Sequence, residues 1–363
     1  MWIIGETGQD AKDNGLAFFA YMRKHHNEIN SIYYISQHSH AEEHIEKIGP
    51  TVRTNSFRHK VFFMAARYVL STHDGYSIPF KGVNWREFKI VYSWLVPKMQ
   101  FVFLSHGVSK DDIVENTNYK RTRFDYFVTT TNEEFKEMSS KKYGYPDGNI
   151  VQTGFARYDS LQNEKLKIEV QSSIVFMPTW RYYLADVDDQ EFMKSEYFKK
   201  LYSLMHSKRL ERLLMENNVD FYFFPPHHEI QKRIHLFNLE NTIVKSPNTE
   251  NVDFSTILLK NSMLITDYSS VIFDFAYLYK RSVYYQFDLK QFRQGQYKEG
   301  YFKYDRDGFG PICTNEKDLM SEISSAIHDD FKINKKYRKR IDETFTLRDN
   351  KNSERLFNIL NDK

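Results

Sequence analysis

Five short segments carry residues able to handle phosphate or move protons, and each follows a short apolar run. Ser105-His106-Gly107 comes directly after Phe101-Val102-Phe103-Leu104. Gly107 allows a sharp backbone turn, which leaves His106 projecting from a strand end. A neutral imidazole there can take a proton from an attacking hydroxyl, because its pKa lies near working pH. Taken alone, the pair also fits a surface loop, since the chain has 13 histidines and most must be inert. Pro225-Pro226-His227-His228 follows Phe221-Tyr222-Phe223-Phe224. The prolines stop the strand and fix the backbone, so the histidines hold defined positions. His227 beside a pyrophosphate can stabilise a leaving group. Neighbours on an extended chain point opposite ways, so phosphate is a better reading of the His227-His228 pair than a metal.

The most informative segment is Ile265-Thr266-Asp267-Tyr268-Ser269-Ser270-Val271-Ile272-Phe273-Asp274. Asp267, Ser269 or Ser270 can cap the helix that follows, and one such residue suffices for a cap. Free N–H groups at a helix start, together with two hydroxyls, suit a diphosphate. Asp274 lies four residues after Ser270, shares that face and can hold a ribose hydroxyl. In Gly154-Phe155-Ala156-Arg157-Tyr158-Asp159, Arg157 can meet phosphate bidentately or pair with Asp159 at the surface. In Met177-Pro178-Thr179-Trp180-Arg181, Thr179 and Arg181 are phosphate-competent. Trp180 either stacks on a base or packs between elements.

The elements that must position these segments alternate along the chain. Apolar runs predict strands over 2–5, 31–35, 69–72, 101–105, 126–130 and 150–153, with helices over 14–25, 41–47, 85–96 and 132–143 between them. The pattern resumes with strands over 173–177, 221–224, 242–244, 263–266 and 283–286, and helices over 190–216, 252–259, 270–279 and 316–328. Alternation of this kind implies an α/β fold with parallel sheets covered on both faces. The polar stretch 160–171 marks a boundary, giving domains 1–162 and 163–363. Two doubly wound, Rossmann-like domains facing a central cleft make the GT-B architecture of nucleotide-sugar transferases. In open parallel sheets ligands bind beyond the carboxyl ends of strands, which is where all five segments fall.

Composition narrows the classes. With 51 basic and 48 acidic residues the net charge is +3, too small to argue for a nucleic-acid partner. The single cysteine, Cys313, permits no internal disulfide and no structural cysteine zinc site, and fits a reducing compartment. Trp2-Ile3-Ile4-Gly5 follows Met1 without a basic secretory leader, and no apolar run approaches the ~20 residues of a membrane span. Aromatic residues make up 16%, more than core filling needs, and suit base stacking or a membrane interface.

In order along the chain, these segments resemble the CDP-glycerol glycerophosphotransferase family of teichoic acid primases and polymerases. The resemblance covers most of the chain. It takes in Gly5-Glu6, Asp13-Asn14-Gly15, Phe18-Phe19-Ala20-Tyr21, Leu104-Ser105-His106-Gly107, Thr153 to Asp159, Pro178-Thr179-Trp180-Arg181, Thr266-Asp267-Tyr268-Ser269-Ser270 and Phe309-Gly310-Pro311. It implies a GT-B fold, a CDP-alditol donor and transfer of the alditol phosphate with release of CMP. It implies His106 as general base and His227 as the group acting on the diphosphate. Gly107, Arg157, Pro178, Thr179, Arg181, Pro226, Ser269, Ser270 and Asp274 complete the expected donor site. One departure stands out: the family has Lys/Arg-x-His-Pro at the second histidine. Here Pro225 and Pro226 precede His227 and His228 replaces the proline, so a phosphate contact is either missing or supplied by His228, Lys232 or Arg233.

The expected reaction is in-line displacement at the phosphorus bearing glycerol, with a lipid-linked polymer hydroxyl as acceptor. Phosphoryl transfer rests on positioning and electrostatics, and no carboxylate cluster suggests a bound metal or other cofactor. An acceptor on lipid places the protein on the cytoplasmic face of an anionic membrane. Trp85, Phe88, Tyr92, Trp94, Leu95 and Met99 with Lys81, Arg86, Lys89 and Lys98 suit such an interface, as do Arg58, His59, Lys60, Phe62 and Phe63. Core helices with basic edges are the plain alternative. Competing functions are ribitol-phosphate transfer from CDP-ribitol, sugar transfer from a nucleotide sugar, and a scaffold subunit with a decayed site.

Overall fold

The computed structural model describes residues 1–37, 39–225, 227–247 and 254–362. The chain forms two compact units. Unit 1 holds Met1–Val108, Ile113–Asn163 and Thr344–Lys363; unit 2 holds Ser109–Asp112 and Glu164–Glu343.

Unit 1 is built on a seven-stranded sheet of β1 (Trp2–Gly5), β2 (Ser31–Ile35), β3 (Thr51–Arg53), β4 (Tyr68–Ser71), β5 (Gln100–Phe103), β6 (Tyr126–Thr129) and β7 (Ile150–Gln152). All pairings are parallel, in the order 3-2-1-4-5-6-7. Runs such as Trp2–Gly5 and Tyr68–Ser71 are apolar or small throughout because both faces are covered by helices. The order reverses between β1 and β4, and Gly5, Ser71 and Phe103 stand level at the carboxyl edge. Gly15, in the first turn of helix Asn14–His25, makes close packing on that edge possible, since a Cβ there would come within 2.6 Å of the Gly5 carbonyl.

Unit 2 repeats the plan with β8 (Gln171–Met177), β9 (Asp220–Phe223), β10 (Val244–Lys245), β11 (Asn261–Thr266), β12 (Arg281–Tyr285) and β13 (Ile312–Cys313), in the order 10-9-8-11-12-13. Met177 stands beside Thr266 and Phe176 beside Phe223, so the segments after β8, β9 and β11 leave one edge together.

Several expectations need correction. The helix expected over 190–216 is three helices, Asp189–Lys194, Glu196–Met205 and Lys208–Asn217, because Ser195 and Ser207 each turn the chain and cap the next one. Of the helix expected over 252–259, positions 252 and 253 lie outside the described residues; the described helix is Phe254–Lys260. The tail does not stay with the second domain. Asp159 accepts from Asn352 N and Ser353 N, at 3.1 and 2.8 Å, and so caps helix Asn352–Asn361 against unit 1. Tyr68 donates to the Leu360 carbonyl at 2.8 Å, and Phe357 stacks on His26.

The segment expected at a membrane divides in two. Trp85, Phe88 and Met99 are core residues, whereas Trp94 is 74% exposed and Ile90, Val91, Tyr92 and Leu95 are exposed beside it. Of the second stretch, Phe63 and His59 are buried. Among the described residues no helix is long and apolar enough to cross a membrane.

Candidate active site

In unit 1 the chemistry gathers on the carboxyl edge around Asn14. Its Nδ2 donates to the Ser105 carbonyl at 2.8 Å and to Leu104 at 3.3 Å; its Oδ1 accepts from Arg157 N at 3.1 Å. Asp13 accepts from Asn14 N and from Arg157 Nη1, both at 2.7 Å. Arg157 also donates to the His106 carbonyl at 3.4 Å. Arg157 therefore pairs with Asp13, while Asp159 accepts from the Asn352 and Ser353 amides. The loop after β1 is held by Glu6, whose buried carboxylate accepts from Lys12 N, Asp13 N and Leu16 N. Burial and the nearby Asp13 charge push its pKa up to about 7 against those three donors.

The turn that presents His106 is made by Ser105, which takes the left-handed conformation (φ 58°) expected of Gly107. Ser105 Oγ donates to the Gly107 carbonyl at 2.9 Å and stabilises that turn. The His106 ring is exposed and lies flat on His73 at 4.8 Å. Its Nδ1 faces the Thr72 carbonyl at 3.4 Å. A carbonyl can only accept, so Nδ1 is the donor of this pair, and in the neutral tautomer that makes it the lone pair belongs to Nε2. Burial, then the His106 charge, lowers the His73 pKa to about 4, so His73 is a neutral support at neutral pH.

In unit 2 the carboxyl edge is organised by a buried Arg181. Its Nε and Nη2 donate to Asp288 at 2.8 and 3.0 Å, Nη2 also donates to Asp267 at 2.8 Å, and Nη1 donates to the Thr179 carbonyl at 2.6 Å. The guanidinium lies over Tyr197, Tyr268 and Phe292. Asp267 Oδ1 accepts from Thr179 N, Thr179 Oγ1 and Tyr268 N at 2.8, 2.6 and 2.6 Å. One carboxylate thus ties Pro178-Thr179 to the turn that starts Ser269-Ser270. Both serines are half-buried; Ser269 Oγ accepts from Val271 N at 3.3 Å and Ser270 is the N-cap residue of helix Val271–Tyr277.

His227 leaves the end of β9 exposed, with its ring parallel to Trp180 at 5.6 Å. Its Nδ1 accepts from Glu229 N at 3.2 Å, which puts the ring proton on Nε2. Burial lowers its pKa below the usual histidine value, with Glu229 opposing weakly.

A family model for CDP-glycerol:poly(glycerophosphate) glycerophosphotransferase matches residues 2–361. The chain belongs to that family. The minor teichoic acid biosynthesis protein GgaB of Bacillus subtilis is 29% identical over 371 residues, covering 99% of this chain and 39% of GgaB. The teichoic acid poly(glycerol phosphate) polymerase of the same organism is 21% identical, over 98% of this chain and 47% of the polymerase. The chain therefore spans less than half the length of these curated relatives. Among solved structures, the wall teichoic acid polymerase TagF superposes with a TM-score of 0.71 at 18% identity, over 100% of this chain and 88% of that one. A putative UDP-N-acetylglucosamine 2-epimerase from Listeria monocytogenes aligns at a TM-score of 0.58 and 10% identity, over 99% of this chain and 95% of that one. The likeness places the fold in the two-domain GT-B class.

Within this glycerophosphotransferase family chain, the expected site residues fall into three groups. His106, Gly107 and Arg157 meet on the edge of unit 1. Pro178, Thr179, Ser269 and Ser270 meet on the edge of unit 2 through Asp267, with His227 on Trp180. Arg181 and Asp274 differ: both are buried, and Arg181 is enclosed by carboxylates and rings, so it shapes the edge from beneath. Pro226 lies outside the described residues. Of the three candidates for the missing basic contact, Arg233 binds the carbonyls of Leu184 and Val187 and the Asp189 carboxylate, and Lys232 meets Glu229. His228 is exposed beside Glu229. Sequence reasoning gave no role to His73, Asn14 or Asp288. His73 follows β4 as His106 follows β5, so the strand-end rule applied to β4 finds it.

Proposed function

We propose that this chain transfers glycerol phosphate from CDP-glycerol to the terminal hydroxyl of a teichoic-acid-type polymer, releasing CMP. The observation that carries the reading is a pair of exposed imidazoles at parallel strand ends, one per unit, held in opposite tautomers within a glycerophosphotransferase family chain. His106 Nε2 takes the proton of the acceptor hydroxyl as its oxygen attacks the phosphorus bearing glycerol. The anhydride bond to the CMP phosphate breaks in line. His227 Nε2–H donates to the departing oxygen, and Arg157 with the Ser269-Ser270 turn offsets charge on the phosphates. In this reading Thr179, Gly107 and Pro178 line the donor, Asp274 is the partner assigned to its ribose, and Arg181 positions Asp267. His106 is assigned to the acceptor hydroxyl, and Thr179 with Ser269-Ser270 to the CDP-alditol. A screen of CDP-glycerol, CDP-ribitol and nucleotide sugars with a lipid-linked acceptor tests it. CMP release with CDP-glycerol is expected; nucleoside diphosphate from a sugar donor, or no turnover with any donor, defeats it.

The acceptor is proposed to be carried on lipid at the cytoplasmic face of an anionic membrane. Exposed Ile90, Val91, Tyr92, Trp94 and Leu95, flanked by Lys98, support docking through unit 1. Flotation with anionic vesicles is expected to carry the protein upward and Trp94→Glu to stay behind. Equal flotation of both proteins counts against this surface.

A further inference from the structure

The residues that follow His106 are held by a group outside the strand-end set. After His106 come Gly107 and Val108, then Ser109–Asp112, which belong to unit 2. Asp111 Oδ1 accepts from Arg293 Nη1 at 2.6 Å, and the same nitrogen reaches the Tyr297 and Lys298 carbonyls at 3.3 Å. The pair is largely buried, at 16% and 12% exposure. Buried Lys110 binds the other oxygen of Asp111 and lies over the Tyr304 ring. Asp112 bridges to Lys298 through the backbone. Gly300 lets the Lys110 carbonyl approach, since a Cβ there would come within 2.4 Å of it.

Arg293 belongs to helix Leu289–Gly295, which is fixed to the donor-side edge at two further points. Asp288, at its N-cap, holds Arg181, and Phe292 stacks on Tyr268 at 3.9 Å. A helix anchored at both points therefore grips the chain at Asp111, five residues beyond His106. We propose that Arg293 is a positioning residue: its ion pair with Asp111 sets the orientation of the loop that carries His106. This rests on the reading of His106 as the proton acceptor. Removing one partner of a buried, hydrogen-bonded pair frees the segment it held, and small misplacement of a reacting group costs up to about 100-fold in rate.

The test uses full-length Arg293→Ala and Arg293→Lys proteins with two readouts. Hydrogen exchange of the amides from Gly107 to Asp112 is expected to rise roughly tenfold or more in Arg293→Ala, and to recover in Arg293→Lys, while exchange in β5 is unchanged. CMP release is expected to lose about 10- to 100-fold in kcat with the CDP-glycerol KM within about twofold. In a His106→Ala background the same substitution should add no further loss, because it acts through that ring. Unchanged exchange at Gly107–Asp112 overturns the proposal. So does unchanged kcat despite a loosened loop, or a full additional loss without His106. A wild-type chain that releases no CMP defeats the proposed reaction instead, and is recognised without any variant.

Discussion

At the scale of single residues, His106 and His227 are distinguished by which nitrogen is engaged. The Thr72 carbonyl fixes a proton on His106 Nδ1, and Glu229 N fixes a lone pair on His227 Nδ1. The first ring therefore offers a base at Nε2 and the second a donor. A glutamine amide can imitate a donor at Nε2 but cannot take a proton. His106→Ala and His106→Gln should both lose at least ~100-fold in the rate of CMP release. His227→Ala should lose a similar ~100-fold, whereas His227→Gln should stay within about tenfold of wild type. Initial rates at saturating CDP-glycerol decide the matter, and equal losses for the two His227 variants would refute the donor role. Burial keeps the His227 pKa low, so the ring remains a neutral donor at neutral pH.

At the scale of elements, the candidate residues stand at the carboxyl edge of the parallel sheet in each unit. That edge is legible in the sequence because strands buried on both faces read as unbroken apolar runs, and each candidate segment begins where a run stops. The helix-start serines are legible for the same reason. What the sequence hides is long-range pairing. Arg181 has the composition of a phosphate ligand, yet its carboxylate partners lie 86 and 107 residues away, and no local pattern announces them. β3 and β13, with 3 and 2 residues, are too short for periodicity. The return of the tail to unit 1 depends on Gly154, which has φ +79° and would bring a Cβ within 2.2 Å of Asn352 Oδ1. Gly154→Ala combines a left-handed penalty with a collision at the buried residue that starts helix Asn352–Asn361. A loss of about 1–3 kcal/mol is expected. Urea denaturation measures it, and limited proteolysis should cut sooner beyond Thr344; unchanged resistance there would mean the tail docks independently of Gly154.

At the scale of the whole molecule, buried titrating groups of unit 1 make stability depend on pH in opposing directions. His59 is fully buried against Tyr34, and burial lowers its pKa to about 4, as it does for His73. Below the unfolded value of about 6.5 the unfolded chain binds protons at both rings while the folded chain does not, so stability falls between pH 6.5 and 4. Glu6 works the other way. Its folded pKa of about 7 exceeds the unfolded 4.5, so its contribution is complete below pH 4.5 and is lost as pH rises through 7. Between pH 6.5 and 4.5 the three groups leave a net difference of about one proton, near 1.4 kcal/mol per pH unit. Glu6→Gln removes the opposing group, so this slope should approximately double; His59→Phe should bring it close to zero. Trp2, Trp85 and Trp94 lie in unit 1, three of the chain's four tryptophans, so fluorescence-detected urea unfolding reports mainly on that unit. The remaining carboxylates are common to all three proteins and cancel in the comparison. Parallel pH curves for wild type and Glu6→Gln would mean that its three backbone donors outweigh burial and keep Glu6 ionised in the folded chain.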